Sequence, residues 1–303
     1  AQLVLDTMME TATQEQWNNW YRRILIKDLR CGVSEKTVNN VVKKDYPDYI
    51  IPVFTCQLAH DGANHEKKLV GKKQIEVKLD GVRVIAILYK DKRPEVFSRN
   101  GKQFHNFEHI VDQLAHVVQT YGIGTDMILD GEVMSSSFQD LMKQVHRKTN
   151  VQSDDAILHC FDMITLEEFQ QGGSLRPQHE RSQELDSWIE KHAPEIPHVA
   201  TLTWEDVDLD TEQGQATLKQ INKQAIDGGY EGIMIKDPNA GYECKRSHSW
   251  LKMKPFIEVT LEVVDVEEGT GRNAGRLGAL ICKGEDNGLN IDVNCLDCIN
   301  CFK

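Results

Sequence analysis

The most constraining feature of this sequence is a strict alternation of apolar and charged residues in the stretch QIEVKLDGVR, residues 74–83. Successive side chains of a β-strand point to opposite faces, so the alternation predicts a strand with one apolar and one charged face. The apolar positions are Ile75, Val77 and Leu79, and the charged positions are Glu76, Lys78 and Asp80. The pattern therefore predicts a lysine between two carboxylates, just before a glycine.

Lys78 in this setting has two interpretations, a nucleophile or one member of an ion-paired surface strand. A free lysine has a pKa of about 10.4, so only roughly one in a few thousand is neutral at pH 7. Burial or a nearby cation favours loss of the proton, whereas Glu76 and Asp80 favour the ammonium form. A nucleophilic role therefore requires a metal ion or a ligand that offsets the two carboxylates, and the stretch taken alone favours the ion-paired surface.

Four further motifs place charged side chains on predicted strands or turns. They are SRNG with Arg99, LDGEV with Asp130 and Glu132, EGIMIK with Glu231 and Lys236, and WLKMK with Trp250, Lys252 and Lys254. Converging carboxylates can hold Mg²⁺ together with phosphate oxygens, and converging lysines can stabilise charge on a phosphate. Together with a lysine nucleophile, these motifs indicate nucleotidyl transfer.

Composition restricts the class of protein. The chain has 303 residues, 40% hydrophobic and 27% charged, which is typical of a soluble globular protein with two or three modest domains. It has no bilayer-length apolar run and no signal-peptide pattern, and its eight cysteines are scattered, which predicts an intracellular protein with reduced thiols. The net charge of -12 argues weakly against a nucleic-acid partner, although the basic blocks at 65–73 and 245–254 are compatible with a local basic groove.

Hydrophobic periodicity divides the chain into a helical region, 1–50, a region of alternating strands and helices, 51–256, and an all-β region, 257–303. Strands are predicted over 75–79, 83–89, 95–99, 127–134, 156–164, 198–204, 231–236 and 249–254. Helices are predicted over 106–121, 138–147, 179–193 and 215–226. The pattern indicates an α+β fold.

Residues 78–83, KLDGVR, match the K-x-D-G-x-R signature of the covalent nucleotidyltransferases, which include DNA ligases, RNA ligases and mRNA capping enzymes. The later motifs, with LHCFDMI at 158–164, resemble those of ATP-dependent DNA ligases in order and approximate spacing, bacteriophage-type members in particular. The upstream ILIKDLRCGVSEKTVNNV resembles the end of the family's helical DNA-binding domain. The resemblance implies an α+β nucleotidyltransferase core, ATP-grasp-like and built of mixed sheets and helices. A partial helical domain would precede this core, and a truncated OB-type β-domain would follow it.

The resemblance implies a three-step reaction with ATP and Mg²⁺ as cofactors and nicked double-stranded DNA as the partner. Lys78 attacks the α-phosphate of ATP to give lysyl-AMP, and the AMP then passes to the 5′-phosphate at the nick. The 3′-hydroxyl attacks that activated phosphate and seals the strand. A cytoplasmic monomer without membrane association is expected.

The resemblance also implies roles for individual side chains. Lys78 is the nucleophile, and Lys252 and Lys254 contact the α-phosphate. Phe161 stacks on adenine, and Arg99 binds the nick phosphate. The implied ATP-binding set is Glu76, Lys78, Asp80, Arg83, Arg99, Glu132, Phe161, Glu231, Lys252 and Lys254, with Asp80, Glu132 and Glu231 as the metal set and Lys236, Arg246 and Trp250 as secondary contacts.

The two ends of the chain depart from the family pattern. The expected OB-type domain stops before the basic motif that orients pyrophosphate, and the helical domain starts part-way at Ala1, so we expect a fragment with slow or absent self-adenylation. The terminal run of Cys295, Cys298 and Cys301 lacks a clear fourth ligand, which disfavours a metal site there. The eleven histidines show no ligand spacing.

Two alternatives to a DNA ligase stay open at this point. An RNA ligase or an mRNA capping enzyme uses the same lysine chemistry. A truncated, non-catalytic DNA-binding fragment would retain the core without reacting.

Overall fold

The computed structural model describes residues 2–25, 35–42, 44–46, 49, 54–135, 153–255, 261–269, 274–286 and 289–295. The chain divides into two compact units, one formed by residues 1–55 with 99–101 and the other by residues 56–98 with 102–303. None of the helices in the described ranges has the length and apolar character needed to cross a bilayer. The domain limits predicted at residues 50 and 256 stay predictions.

The first unit contains helices α1 (Gln2–Thr11) and α2 (Glu35–Val42), with short helical segments at Gln14–Gln16, Trp17–Tyr21 and Arg22–Leu25. Thr13 and Gln16 form a capping box at the start of the first short segment. The Gln16 N–H donates to Thr13 Oγ1 at 3.2 Å, and the Thr13 N–H donates to Gln16 Oε1 at 2.9 Å. Two backbone donors at the helix start are thereby satisfied, and the helical pattern predicted for this region is confirmed over its described residues.

The second unit is built from fifteen described strands and four described helices. The strands are β1 (Leu58–Asp61), β2 (Lys72–Lys78), β3 (Val82–Leu88), β4 (Glu95–Ser98), β5 (Met127–Met134), β6 (Ile157–Thr165), β7 (Gly173–Ser174), β8 (Val199–Thr201), β9 (Trp204–Asp208), β10 (Gly232–Lys236), β11 (Tyr242–Glu243), β12 (Arg246–Met253), β13 (Glu262–Glu268), β14 (Leu277–Asp286) and β15 (Leu289–Cys295). The helices are α3 (Glu108–Tyr121), α4 (Leu166–Gln170), α5 (Gln178–His192) and α6 (Glu212–Asp227).

The first sheet has the strand order β1-β12-β10-β2-β9. It is antiparallel except for the β1–β12 pair. On one face, Ile75, Ile233 and Leu251 pack with Leu218 of α6 in an apolar core. On the other face Glu76 is also buried, and its partner Lys236 donates to the Phe161 carbonyl of β6 in the second sheet.

The second sheet has the strand order β4-β3-β5-β6-β8. Its apolar face packs against α3 and α5 in the larger of the two cores, where Val84 and Leu88 meet Ile110, Leu114 and Leu185. Each sheet therefore buries one face beneath helices. Their remaining faces contact each other, and these faces carry the polar motifs.

Buried polar side chains join the two sheets. Arg181 of α5 is 0% exposed and donates to both carboxylate oxygens of Asp162, at 2.8 and 3.0 Å. The Trp250 indole donates to Gln178 Oε1 at 2.8 Å, which ties β12 to the same helix. Helix α5 therefore contacts both sheets, and the pairing of Arg181 with Asp162 offsets the cost of burying the two charges.

The prediction of one strand over 198–204 was wrong. The structure forms two strands there, β8 paired with β6 in the second sheet and β9 paired with β2 in the first. The chain crosses between the sheets at Leu202 and Thr203, so neither ladder can continue through this segment. The other predicted strands of the core and the helices at 106–121, 179–193 and 215–226 are confirmed, and the helix predicted at 138–147 lies outside the described residues.

A third, smaller sheet follows the core. It has the order β13-β14-β15 with antiparallel pairing throughout, as the all-β pattern predicts. Its valines at 263, 264 and 266 are exposed.

We predict that Arg181→Met lowers the free energy of unfolding by about 3 kcal/mol or more, because it leaves the buried Asp162 carboxylate without its cation. Urea denaturation followed by circular dichroism measures the change. The double variant Arg181→Met/Asp162→Leu should recover much of the loss. Lys223→Ala, which removes an exposed pair with Asp227, should have little effect. A single-variant loss no larger than that of the control would contradict the prediction.

Candidate active site

The charged end of β2 lies beside the ends of β10 and β12. Lys78 is level with Gly232 in β10, and Lys254 directly follows Met253, which pairs with Ile233. Gly232 has a φ of +139°, and a Cβ there would overlap the Met253 carbonyl oxygen. Gly232 has no side chain to separate Lys78 from Lys254. The two lysines can therefore reach a common partner next to this glycine.

That partner is Glu231. Its carboxylate forms ion pairs with both Lys78 and Lys254, and its backbone N–H donates to the Lys78 carbonyl oxygen at 3.1 Å. One carboxylate therefore holds two ammonium groups at the ends of β2 and β12, the two strands that flank β10. Burial and the Lys78 charge both lower the pKa of Lys254.

The pKa of Lys78 is lowered from its ordinary value. Burial of the half-buried side chain is the main cause, and the Arg83 charge acts in the same direction. The carboxylates of Glu132 and Asp80 oppose this shift because they favour the ammonium form. A ligand or ion that neutralised these carboxylates would therefore free the amine for attack.

Arg83 is fixed by a bidentate contact. Its Nε and Nη2 donate to the buried Asp130 carboxylate at 2.9 and 2.6 Å, and the Tyr242 hydroxyl donates to the same carboxylate at 2.6 Å. The guanidinium lies 5.3 Å from the centre of the Phe161 ring and 5.8 Å from that of Trp250. These contacts place a permanent positive charge near Lys78 and raise the pKa of Arg83 further.

Two aromatic rings, those of Phe161 and Trp250, lie close to Arg83 and to the buried Glu76–Lys236 ion pair. The region that these side chains line is called the cleft below, and they form its base. Lys236 is 0% exposed, and its Nζ lies 2.7 Å from Glu76 Oε1 and donates to the Phe161 carbonyl at 2.9 Å. The same Nζ is 4.7 Å from the centre of the Trp250 ring, which meets the half-buried Phe161 ring edge to face. Glu76 is thus paired within the protein, and burial raises its pKa despite Lys236.

The predicted metal ligands differ in their surroundings. Glu132 accepts the Gly81 N–H at 3.2 Å, and burial raises its pKa to about 7. Asp80 is exposed, and Glu231 is occupied by the two lysines. The three side chains offer the carboxylate oxygens that Mg²⁺ prefers, so their donor chemistry suits the ion, and their role as a metal set stays a prediction.

The remaining predicted residues are spread more widely. Lys252 is half-buried, two residues before Lys254 on β12, and is level with Asp61 of β1. Arg246 is exposed and donates to the Ala59 carbonyl. Arg99 lies in the turn after β4 and belongs to the first unit.

The sequence analysis missed a cluster of three histidines. The rings of His60 and His248 stack with centroids 3.9 Å apart, and His65 meets them edge-on at 4.8 and 4.5 Å. Burial lowers the pKa of His60, with further contributions from His248, His65 and Arg246. No spacing rule could have identified this set, since His248 lies far along the chain from His60, on the strand that pairs with β1.

Comparison with known proteins identifies the family. A sequence profile of the ATP dependent DNA ligase domain matches residues 56–254. The chain belongs to this family. It is 31% identical to DNA ligase 2 of Methanosarcina acetivorans over 68% of this chain and 36% of that protein. It is 30% identical to the DNA ligase of Methanothrix thermoacetophila over 78% of this chain and 42% of that protein.

Solved structures agree with this assignment to the ligase family. A structure titled Pmar-Lig_PreS3 is 60% identical and superimposes with a TM-score of 0.80, over 95% of this chain and 66% of that one. The ATP-dependent DNA ligase from bacteriophage T7 in complex with ATP shares the fold at 18% identity and a TM-score of 0.55, over 80% of this chain and 81% of that one. The predicted family and fold class are therefore confirmed. The chain spans about two fifths of the length of the archaeal ligases named above.

We predict that the Glu132 carboxyl makes the stability of this ligase core depend on pH. Its pKa in the folded protein, about 7, exceeds the ordinary value of 4.5, so its favourable contribution is complete below 4.5 and is lost as pH rises through 7. Glu132→Gln removes this titration. From pH 4.5 to 8, the wild type should lose about 3 kcal/mol relative to the variant.

Urea denaturation at a series of pH values tests this prediction. The control is Glu205→Gln, an exposed position on β9, which should follow the wild-type profile. Parallel profiles for the wild type and Glu132→Gln would contradict the prediction.

Proposed function

We propose that this chain is the catalytic core of an ATP-dependent DNA ligase that seals nicks in duplex DNA through a lysyl-AMP intermediate. The proposal rests on one observation, the half-buried Lys78 at the end of β2, whose lowered pKa and Lys254 neighbour suit attack on a phosphate. Family membership supports the choice of ATP and DNA. None of the comparisons named above favours RNA ligation or mRNA capping.

In the first step the Lys78 amine attacks the α-phosphorus of ATP. An N–P bond forms, the bond to pyrophosphate breaks, and the amine loses its proton. Lys254 and Lys252 stabilise the negative charge that grows on the α-phosphate. Mg²⁺, which Asp80, Glu132 and Glu231 would hold, supplies neutralisation of phosphate charge.

The cleft residues around Lys78 have supporting roles in this proposal. Phe161 offers an aromatic surface for adenine, with its ring held in place by Trp250. Arg83 is already paired with Asp130, so we assign it to fixing the electrostatic field around Lys78 and positioning the ribose. The buried Glu76–Lys236 pair supports this arrangement from beneath.

In the later steps AMP passes from Lys78 to the 5′-phosphate at the nick, and the 3′-hydroxyl displaces AMP as the phosphodiester forms. A nick has no defined sequence, so contacts to the phosphate backbone suffice for recognition. Arg99 is proposed to contact the nick phosphate, and Arg246 to lie along the path of the DNA. The protein is proposed to act as a cytoplasmic monomer.

We predict that Lys78→Ala abolishes covalent labelling of the chain by ATP radiolabelled at the α-phosphate in the presence of Mg²⁺. A denaturing gel run without acid fixation detects the acid-labile, base-stable phosphoramidate. Lys72→Ala, an exposed position on the same strand, should label like the wild type. GTP should not replace ATP in this labelling. If Lys78→Ala were still labelled, the assignment of Lys78 as the nucleophile would be refuted.

Sealing of a nick that already carries 5′-AMP tests the last step separately. This substrate bypasses self-adenylation, so it distinguishes a chain that lacks the first step from one that lacks catalysis altogether. Sealing by the wild-type chain supports a catalytic core. Binding of nicked DNA with neither labelling nor sealing would favour a non-catalytic DNA-binding fragment.

We also predict that the basic block at 65–73 contributes to DNA affinity through phosphate contacts. Lys67 and Lys68 are exposed. The variant Lys67→Ala/Lys68→Ala should make the negative slope of log affinity against log salt shallower by about 1–2. Fluorescence anisotropy with a labelled nicked duplex measures the slope. Lys219→Ala/Lys223→Ala on α6 removes the same charge and should leave the slope unchanged; equal effects of the two variants would exclude a local role for the block.

A further inference from the structure

A second cluster of chemically active side chains lies at the β1 edge of the first sheet. It consists of His60 in β1, His65 in the turn that follows, and His248 in β12. The ring nitrogens that could serve as ligands all lie within 4.8 Å of one another. The nucleotidyl-transfer proposal does not use these residues.

The backbone that carries the cluster is held by local hydrogen bonds. The His65 N–H donates to the Gly62 carbonyl at 3.0 Å, and the Lys68 N–H donates to the His65 carbonyl at 2.8 Å. Asp61 Oδ1 accepts the Ala63 N–H at 3.1 Å and caps the turn. The three imidazoles therefore project from a turn and two strands whose positions are set independently of the rings.

The cluster lies at the point where the β1–β12 pairing changes register. Ala59 pairs with Ser247, but the next residue, His60, pairs with Leu251. The intervening residues of β12, His248 among them, have no partner of their own in β1. A regular continuation of the pairing would set His60 level with His248, and the two rings remain stacked across the register shift.

Other histidines of the core use their ring nitrogens in hydrogen bonds. His109 Nε2 lies 2.8 Å from the Ala156 carbonyl oxygen, and His179 Nδ1 lies 2.8 Å from that of Pro238. His198 Nδ1 bonds the Gln113 side chain at 2.7 Å. Such hydrogen bonds are typical of single histidines in a folded protein. His60, His65 and His248 differ because their rings contact one another.

We propose that His60, His65 and His248 form a binding site for a divalent transition-metal ion of the zinc class, with water as a fourth ligand. Three imidazole nitrogens suit Zn²⁺, Co²⁺, Ni²⁺ or Cu²⁺, whereas Mg²⁺ prefers oxygen ligands. Tetrahedral Zn²⁺ with bonds of about 2.0–2.1 Å sets its nitrogen ligands about 3.3 Å apart, so the rings close on the ion by side-chain rotation.

The bound ion links three parts of the core. It ties edge strand β1 and the turn that begins the basic block 65–73 to β12, the strand that carries Lys252. Arg246, which donates to the Ala59 carbonyl, adds a positive charge nearby and makes the site weaker than a four-ligand structural zinc site. The expected consequence of binding is a more stable edge of the first sheet.

Titration of the metal-free full chain with Co²⁺ alone tests the proposal, with the visible absorption of tetrahedral Co²⁺ as the readout and Zn²⁺ as the competitor. We expect one tetrahedral Co²⁺ ion to bind per chain. His65→Ala and His248→Ala should each weaken binding roughly 100-fold or more, since even changes to residues behind the ligands cost 10–100-fold. The control His116→Ala, at an exposed position on α3, should bind like the wild type.

Cysteine thiolates are also ligands for Co²⁺ and Zn²⁺, so the titration is repeated with Cys295→Ser/Cys298→Ser/Cys301→Ser. Retained binding in this variant supports the histidine site. Loss of Co²⁺ binding in the triple cysteine variant, together with retained binding in His248→Ala, would overturn the proposal. A wild-type chain that gives no tetrahedral Co²⁺ spectrum would also overturn it. Zn²⁺ should also raise the melting temperature of the wild type and His116→Ala but not of His248→Ala. These readouts need neither ATP nor DNA, so their outcome is independent of ligase activity.

Discussion

Ion pairs buried between two five-stranded sheets are the interaction on which the core depends. Each sheet has one face beneath helices, so the remaining faces must pack together although they carry charged residues. Lys236 pairs with Glu76, and Arg83 pairs with Asp130. Each pair joins neighbouring strands of one sheet. Because a buried charge without a partner is strongly destabilising, the pairing allows these charged faces to be buried.

The same constraint explains why the candidate active site lies at the end of the cleft. Deeper in the cleft each lysine or arginine described above has a carboxylate of its own. At the end, Glu231 is shared by Lys78 and Lys254, and Lys78 remains half-buried. Two ammonium groups therefore share one directly paired carboxylate, with Glu132 and Asp80 also acting on Lys78, and a phosphate is a ligand that two lysines can bind.

Strand β12 connects three features of the molecule. Trp250 contributes to the aromatic base of the cleft, Lys254 follows the last residue of the strand and pairs with Glu231, and the His248 ring stacks on His60 of β1. His248 and Trp250 occupy alternate positions of this one strand, so it joins the candidate active site to the histidine cluster. A metal ion at the cluster would act on the position of the strand and would leave the chemistry at Lys78 to the lysines and carboxylates of the cleft.

The sequence by itself determined the strand that ends at Lys78, most strands and helices of the core, and the ligase family, because periodicity and the K-x-D-G-x-R motif are local properties. It could not show that residues 198–204 divide between two sheets, since both halves have strand propensity and only pairing partners separate them. It also could not show that Glu76 is paired with Lys236, or that Arg83 is fixed on Asp130. The histidine cluster was decided by tertiary structure alone, because the pairing of β1 with β12 brings together residues that no spacing in the chain relates.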